Sequence, residues 1–160
     1  MDIIVKILSL IILLLCSGCI APEPTSSSAI ITIKSDNIRL NDTAFIEHNL
    51  GGVKVEVYKA GQLALVIENG QKICLNAKCM KPKVFVKNFI HPTYPAHFIH
   101  QLFAKEELDF EGSQITQNDM GFIQQSFKKN SYNITYRVSK RETFFRDSVN
   151  KIIFRIKEIP

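Results

Sequence analysis

The sequence predicts a mainly β fold of α+β class: a curved antiparallel sheet or incomplete β-barrel with one or two short helices. Three observations predict it. From Ala29 onward, short runs rich in Ile, Val, Thr, Tyr and Phe are separated by turn residues. Several of these runs alternate apolar with polar residues, which gives each one dry face and one wet face. A single stretch, residues 82–105, changes to helical spacing.

In order along the chain, Ile30–Ile33, Ile38–Leu40 and Thr43–Glu47 read as strands, with Ser35–Asn37 and Asn41–Asp42 as the turns between them. Val53, Val55 and Val57 alternate cleanly with Lys54 and Glu56, so the valines share a face. Ala60–Gly61 turns the chain into Leu63–Ile67, and Asn69–Gly70 turns it into Lys72–Leu75. Asn-Gly between apolar runs is a strong short-range hairpin signal. Phe85, Phe89 and Ile90, and then Phe98, Ile99, Leu102 and Phe103, fall on helical stripes; Pro95 suits a first helical turn. Strands resume with Leu108–Phe110, Gln114–Thr116, Gly121–Phe127, Tyr132–Val138, Glu142–Asp147 and Ile152–Lys157.

Four cysteines divide by position. If Asn76–Ala77 is a two-residue turn, Cys74 lies directly opposite Cys79, as a cross-strand disulfide requires. A structural disulfide is expected; a redox pair and a metal pair are the alternatives, although Cys-x4-Cys has neither thioredoxin-like nor zinc-finger spacing.

The chain opens with Lys6, the apolar run Ile7–Leu15 and the small residues Ser17 and Gly18 before Cys19. That is the layout of a secretory signal. Its apolar run is too short for a membrane span, which takes about 20 residues. Cys16-Ser17-Gly18-Cys19 resembles the lipobox of bacterial lipoproteins. The resemblance implies cleavage after Gly18 by signal peptidase II and acylation of Cys19, palmitate included. No Asp follows Cys19, which by the same resemblance implies an outer-membrane lipoprotein facing the periplasm. The expected organisation is residues 1–18 as signal peptide, 19–28 as lipidated Cys and flexible tether, and 29–160 as one β-rich domain.

Net charge is +5 and the Lys and Arg residues are scattered along the chain. A mild positive excess suits an anionic membrane surface, and export argues against nucleic acid as a partner. His97 and His100 share a helical face, with His91 and His48 elsewhere, but no acidic residue completes a metal-ligand spacing. No catalytic motif is present, so no cofactor, metal or enzymatic activity is expected.

A lipidated cysteine, a leash and a strand meander closed by helices together resemble the LolA/LolB lipoprotein carriers, in architecture along Ala29–Lys157. The segment Cys74–Tyr94 also resembles small epsilonproteobacterial lipoproteins. The carrier resemblance implies an unclosed barrel whose apolar cavity holds lipid or lipoprotein acyl chains in envelope maintenance, with Phe98, Phe103, Phe122 and Phe145 as candidate lining residues. That reading expects a hollow interior. The alternative, a scaffold or assembly lipoprotein that binds a protein partner, expects a filled core and an exposed apolar patch.

Overall fold

A computed structural model of the chain describes residues 25–49, 52–68, 71–117 and 122–160. The signal segment, Cys19 and the proximal part of the expected tether lie outside the described residues, as do the Asn69–Gly70 and Asn118–Asp119 turns.

The strands are β1 (Thr25–Lys34), β2 (Arg39–Asn49), β3 (Gly52–Lys59), β4 (Gln62–Glu68), β5 (Lys72–Leu75), β6 (Lys78–Met80), β7 (Gln114–Gln117), β8 (Ile123–Lys129), β9 (Tyr132–Val138), β10 (Glu142–Asp147) and β11 (Ile152–Glu158). They form one open 11-stranded sheet in the order β6-β5-β4-β3-β2-β1-β11-β10-β9-β8-β7. Every neighbouring pair is antiparallel. Every neighbouring pair but one therefore joins strands consecutive in sequence. The exception lies in the middle, where β1 meets β11 with Ile31 opposite Ile156 and Ile33 opposite Phe154. The expected curved antiparallel sheet is present.

Between the two edge strands β6 and β7 runs the helical insertion: α1 (Pro82–Phe85), a π-type turn (Val86–Ile90) and α2 (Phe98–Ala104). Because it connects the edges, it crosses the open side of the sheet and covers its inner face. Alternation fixes which residues that face holds. Val53, Val55 and Val57 of β3, Ile134, Tyr136 and Val138 of β9, and Ile152, Phe154 and Ile156 of β11 are all buried, while Asn133 and Arg137 between them are exposed. No described helix is long and apolar enough to cross a membrane.

Four expectations need correction. Thr25–Ser28, read as tether, belong to β1 and pair with His48–Phe45 of β2. Their polar side chains do not prevent this, because the ladder is made by backbone groups. Asn41–Asp42 is not a turn: both sit inside β2, where Asn41 Oδ1 accepts a 2.8 Å hydrogen bond from Thr32 Oγ1 on β1. Leu108–Phe110 is irregular rather than a strand, held by the buried Gln125, whose Oε1 accepts from Leu108 N at 2.8 Å. Pro95 precedes α2 by a separate turn, since the helix begins at Phe98.

Candidate functional site

The lipid-carrier resemblance places a site on the inner face. Phe98 of α2 is its centre, packed edge-on against Phe145 of β10 at 4.8 Å between ring centroids, Tyr94 at 5.0 Å and Phe154 of β11 at 5.5 Å. Phe98 and Phe145 are 0 % exposed and Phe103 2 %, so these three candidate lining residues meet in a filled core. Three clefts open at the surface are lined by other residues. Side chains of the insertion, Phe98 and Phe103 among them, pack into the buried cluster on the inner face.

Polar bonds fasten that insertion at several points. Ser35 Oγ donates to Phe89 O at 2.5 Å and Asn37 Nδ2 to Asn88 O at 2.8 Å. Lys105, left-handed at the end of α2, donates to Glu158 Oε1 at 2.6 Å and to Lys140 O at 2.9 Å. Deepest is Tyr94, whose hydroxyl donates to Asp147 Oδ2 at 2.6 Å. Asp147 is fully buried and also accepts from Asn133 N, Val149 N, Asn150 N and Asn150 Nδ2. Burial pushes its carboxyl up, but the bonds from Tyr94, Asn133 and Asn150 outweigh burial and hold it below the usual carboxylate value. Burial, and then the bond to Asp147, push the Tyr94 hydroxyl well up. A carboxylate this fully engaged is a structural bolt and has no lone pair to spare for a substrate.

Lifting α1 and α2 alone would uncover Phe85, Phe98, Ile99, Leu102 and Phe103. At roughly 2 kcal/mol per buried apolar side chain, that costs about 10 kcal/mol, comparable to the whole stability of a typical domain.

The outer face is different. Toward β4, Phe45 of β2 is 55 % exposed, Leu63 of β4 47 % and Ile30 of β1 43 %. Phe45 meets Tyr58 of β3 edge-on at 5.8 Å. Tyr58 is opposite both Thr43 and Leu63, and Thr43 is opposite Ile30, so these side chains form one patch. Ile30 and Tyr58 also line a shallow groove of about 440 Å³ that ends at the Ala60–Gly61 turn.

Toward β8 the same face holds the largest cleft described, about 590 Å³, lined among others by Phe122, Gln124, Arg137, Glu142, Phe144 and Arg155. Phe122 is thus separated from the other three candidate lining residues, on the opposite side of the sheet. The Arg137 guanidinium lies 5.2 Å from the centre of the Phe144 ring, and Arg155 Nε donates to Glu142 Oε1 at 2.6 Å. Ser139 at the rim is spent on its own turn, bonded to Glu142 N and O. The cleft thus offers cations and amides, with no serine free to act as a nucleophile.

Cys74 and Cys79 are directly opposed and disulfide-bonded, with Cα atoms 3.9 Å apart, across the turn Asn76–Ala77. The histidines do not converge. His91 Nδ1 bonds Thr93 Oγ1 at 2.9 Å, and His97 lies 3.8 Å from the exposed Asp109. Among the described residues no cluster of His, Cys, Asp and Glu could hold a metal ion. Sequence reasoning missed the exposed Phe45 and the Arg137–Phe144–Arg155 row, although strand parity places all four on wet positions. No protein-family model matches the chain, and no curated protein matches it.

Proposed function

We propose that the chain is a lipid-anchored lipoprotein of the bacterial envelope, held at the outer membrane by an acylated Cys19 and facing the periplasm. Its domain is a non-enzymatic docking module that binds a protein partner on its outer surface. The observation that carries this reading is the contrast between the two faces: the inner one is filled and bolted, while the outer one exposes Phe45, Ile30 and Leu63 around the half-buried Tyr58. An exposed cluster of large apolar side chains costs solubility and is characteristic of interaction sites.

A photo-crosslinking residue at position 45, compared with one at Val84, tests it in cells. Val84 is equally apolar and 44 % exposed but lies on the insertion. The expected result is a discrete protein adduct from position 45 that Leu63→Lys abolishes, with none from position 84. Equal adducts at both positions, or none at 45, would overturn the reading.

A second reading is favoured by the architecture itself, an open sheet lidded by helices as in the carriers this chain resembles. In it the insertion lifts and an acyl chain of a lipid or lipoprotein replaces Phe98 and Phe103. It requires lipid to co-purify non-covalently with the protein, and a disulfide staple between insertion and sheet to abolish that uptake.

A further inference from the structure

We infer that the outer face of the C-terminal half of the sheet is a docking surface for an anionic phospholipid bilayer, with the Arg137–Phe144–Arg155 cleft receiving a lipid phosphate. The Lys and Arg residues are scattered in sequence, yet register gathers them. Arg155 of β11 is opposite Phe144 of β10, which is opposite Arg137 of β9 and then Gln124 of β8. One row over, Lys34 of β1 is opposite Ile153, and Ile153 is opposite Arg146. On the other side, Lys157 stands between Ile30 and Glu142. Across the outward positions of β1 and β8–β11, Lys34, Lys128, Arg137, Arg146, Arg155 and Lys157 are all exposed, and Glu142 is the lone acid among those described positions. Strands about 4.8 Å apart put neighbouring cations roughly 7–10 Å from one another, close to the Debye length of about 8 Å, so their fields overlap. The single acid is already matched by Arg155.

Two considerations select a bilayer as the occupant. The charge excess is spread over four adjacent rows of a broad face and borders the exposed Ile30, the combination of cations and apolar side chains that suits a headgroup layer. The second rests on the lipoprotein reading. Because β1 begins at Thr25, the stretch from Cys19 to the sheet is shorter than the sequence suggested. Even fully extended it spans only about 20 Å, against roughly 35 Å for the width of a domain this size. An anchored domain on so short a leash must lie against the membrane, and this is its cationic face.

The test uses the full chain, so that every sample carries the same N-terminal segment. Binding is measured by sedimentation with phosphatidylcholine vesicles, with and without about a third phosphatidylglycerol. One variant carries Arg137→Gln, Arg155→Gln and Lys157→Gln. A second, of equal charge, carries Lys81→Gln, Lys83→Gln and Lys87→Gln on the exposed side of the insertion. At roughly fivefold per cation near an anionic surface, the first variant should bind the anionic vesicles about a hundredfold more weakly than the parent. The second should stay within about threefold, and all three should bind neutral vesicles alike. Equal weakening of both variants would overturn the inference, as would no weakening of the first. So would a preference of the parent for soluble heparin over anionic vesicles, which would indicate a polyanionic polymer instead. Cys19→Ser leaves this comparison unchanged, so a failure of the lipidation reading is read separately.

Discussion

Replacing Tyr94 with Phe removes one hydroxyl from the contact that bolts the insertion to the sheet. That hydroxyl donates at 2.6 Å to the buried carboxylate of Asp147. A hydrogen bond to a charged group contributes roughly 1.5–3 kcal/mol net. Asp147 keeps its bonds from Asn133, Val149 and Asn150, so the lower part of that range applies, about 2 kcal/mol. With a urea m-value of about 1.5 kcal/mol/M, the unfolding midpoint should fall by roughly 1.3 M at pH 7. The pH dependence follows from the sign of the shift. Despite burial, Asp147 is held below the usual carboxylate value by these bonds. Such a group contributes stability that is fully present above the unfolded pKa, near 3.9, and is lost as pH falls through the folded one. Tyr94→Phe has already given up one donor, so the gap between variant and parent should narrow at about pH 3. Urea midpoints at both pH values, in the same salt, measure it. A shift below about 0.3 M at neutral pH, or a gap that does not change with pH, would refute the reasoning.

The filled interior predicts that Phe98→Ala costs about 3–5 kcal/mol while Phe45→Ala stays within about 0.5 kcal/mol, both read by urea unfolding. A small cost at Phe98 would mean a loose interior. Asn76 and Ala77 turn the β5–β6 hairpin with φ of 47° and 64°. Ala77→Gly relieves the left-handed alanine and should stabilise by about 0.5–1 kcal/mol, seen as a melting temperature a few degrees higher. The disulfide closes a short loop, so Cys74→Ser with Cys79→Ser should cost about 2 kcal/mol. Reductant should impose the same loss on the parent and none on the double variant.

Strands were legible wherever a dry face alternates with a wet one: the valines of β3 and the Ile134–Tyr136–Val138 set of β9 sit where parity puts them. The Cys74–Cys79 pairing was legible too, because turn length fixes what lies opposite. The meeting of β1 with β11 was not, since pairing between the two ends of a chain leaves no local mark. Thr25–Ser28 and Asn41–Asp42 misled because their composition speaks for loops while their backbone groups are satisfied in a ladder. At the outer face the failure was one of geometry. Phe127 beside Lys128, and Phe145 beside Arg146, look like mixed basic and aromatic patches in sequence. Adjacent residues in a strand point to opposite faces, so the phenylalanines are buried and the cations stand with distant partners instead. Of the four phenylalanines expected to line a hollow, Phe98, Phe103 and Phe145 are buried while Phe122 lines the outer cleft, and only packing reveals whether an interior is hollow.

The most direct measurement is a native mass spectrum of the protein extracted from membranes. A lipid-anchored module with a filled interior should appear at the mass of a chain beginning at an acylated Cys19, with no lipid held non-covalently. An unmodified N-terminus would contradict the anchoring, and a stoichiometric bound lipid would contradict the filled interior.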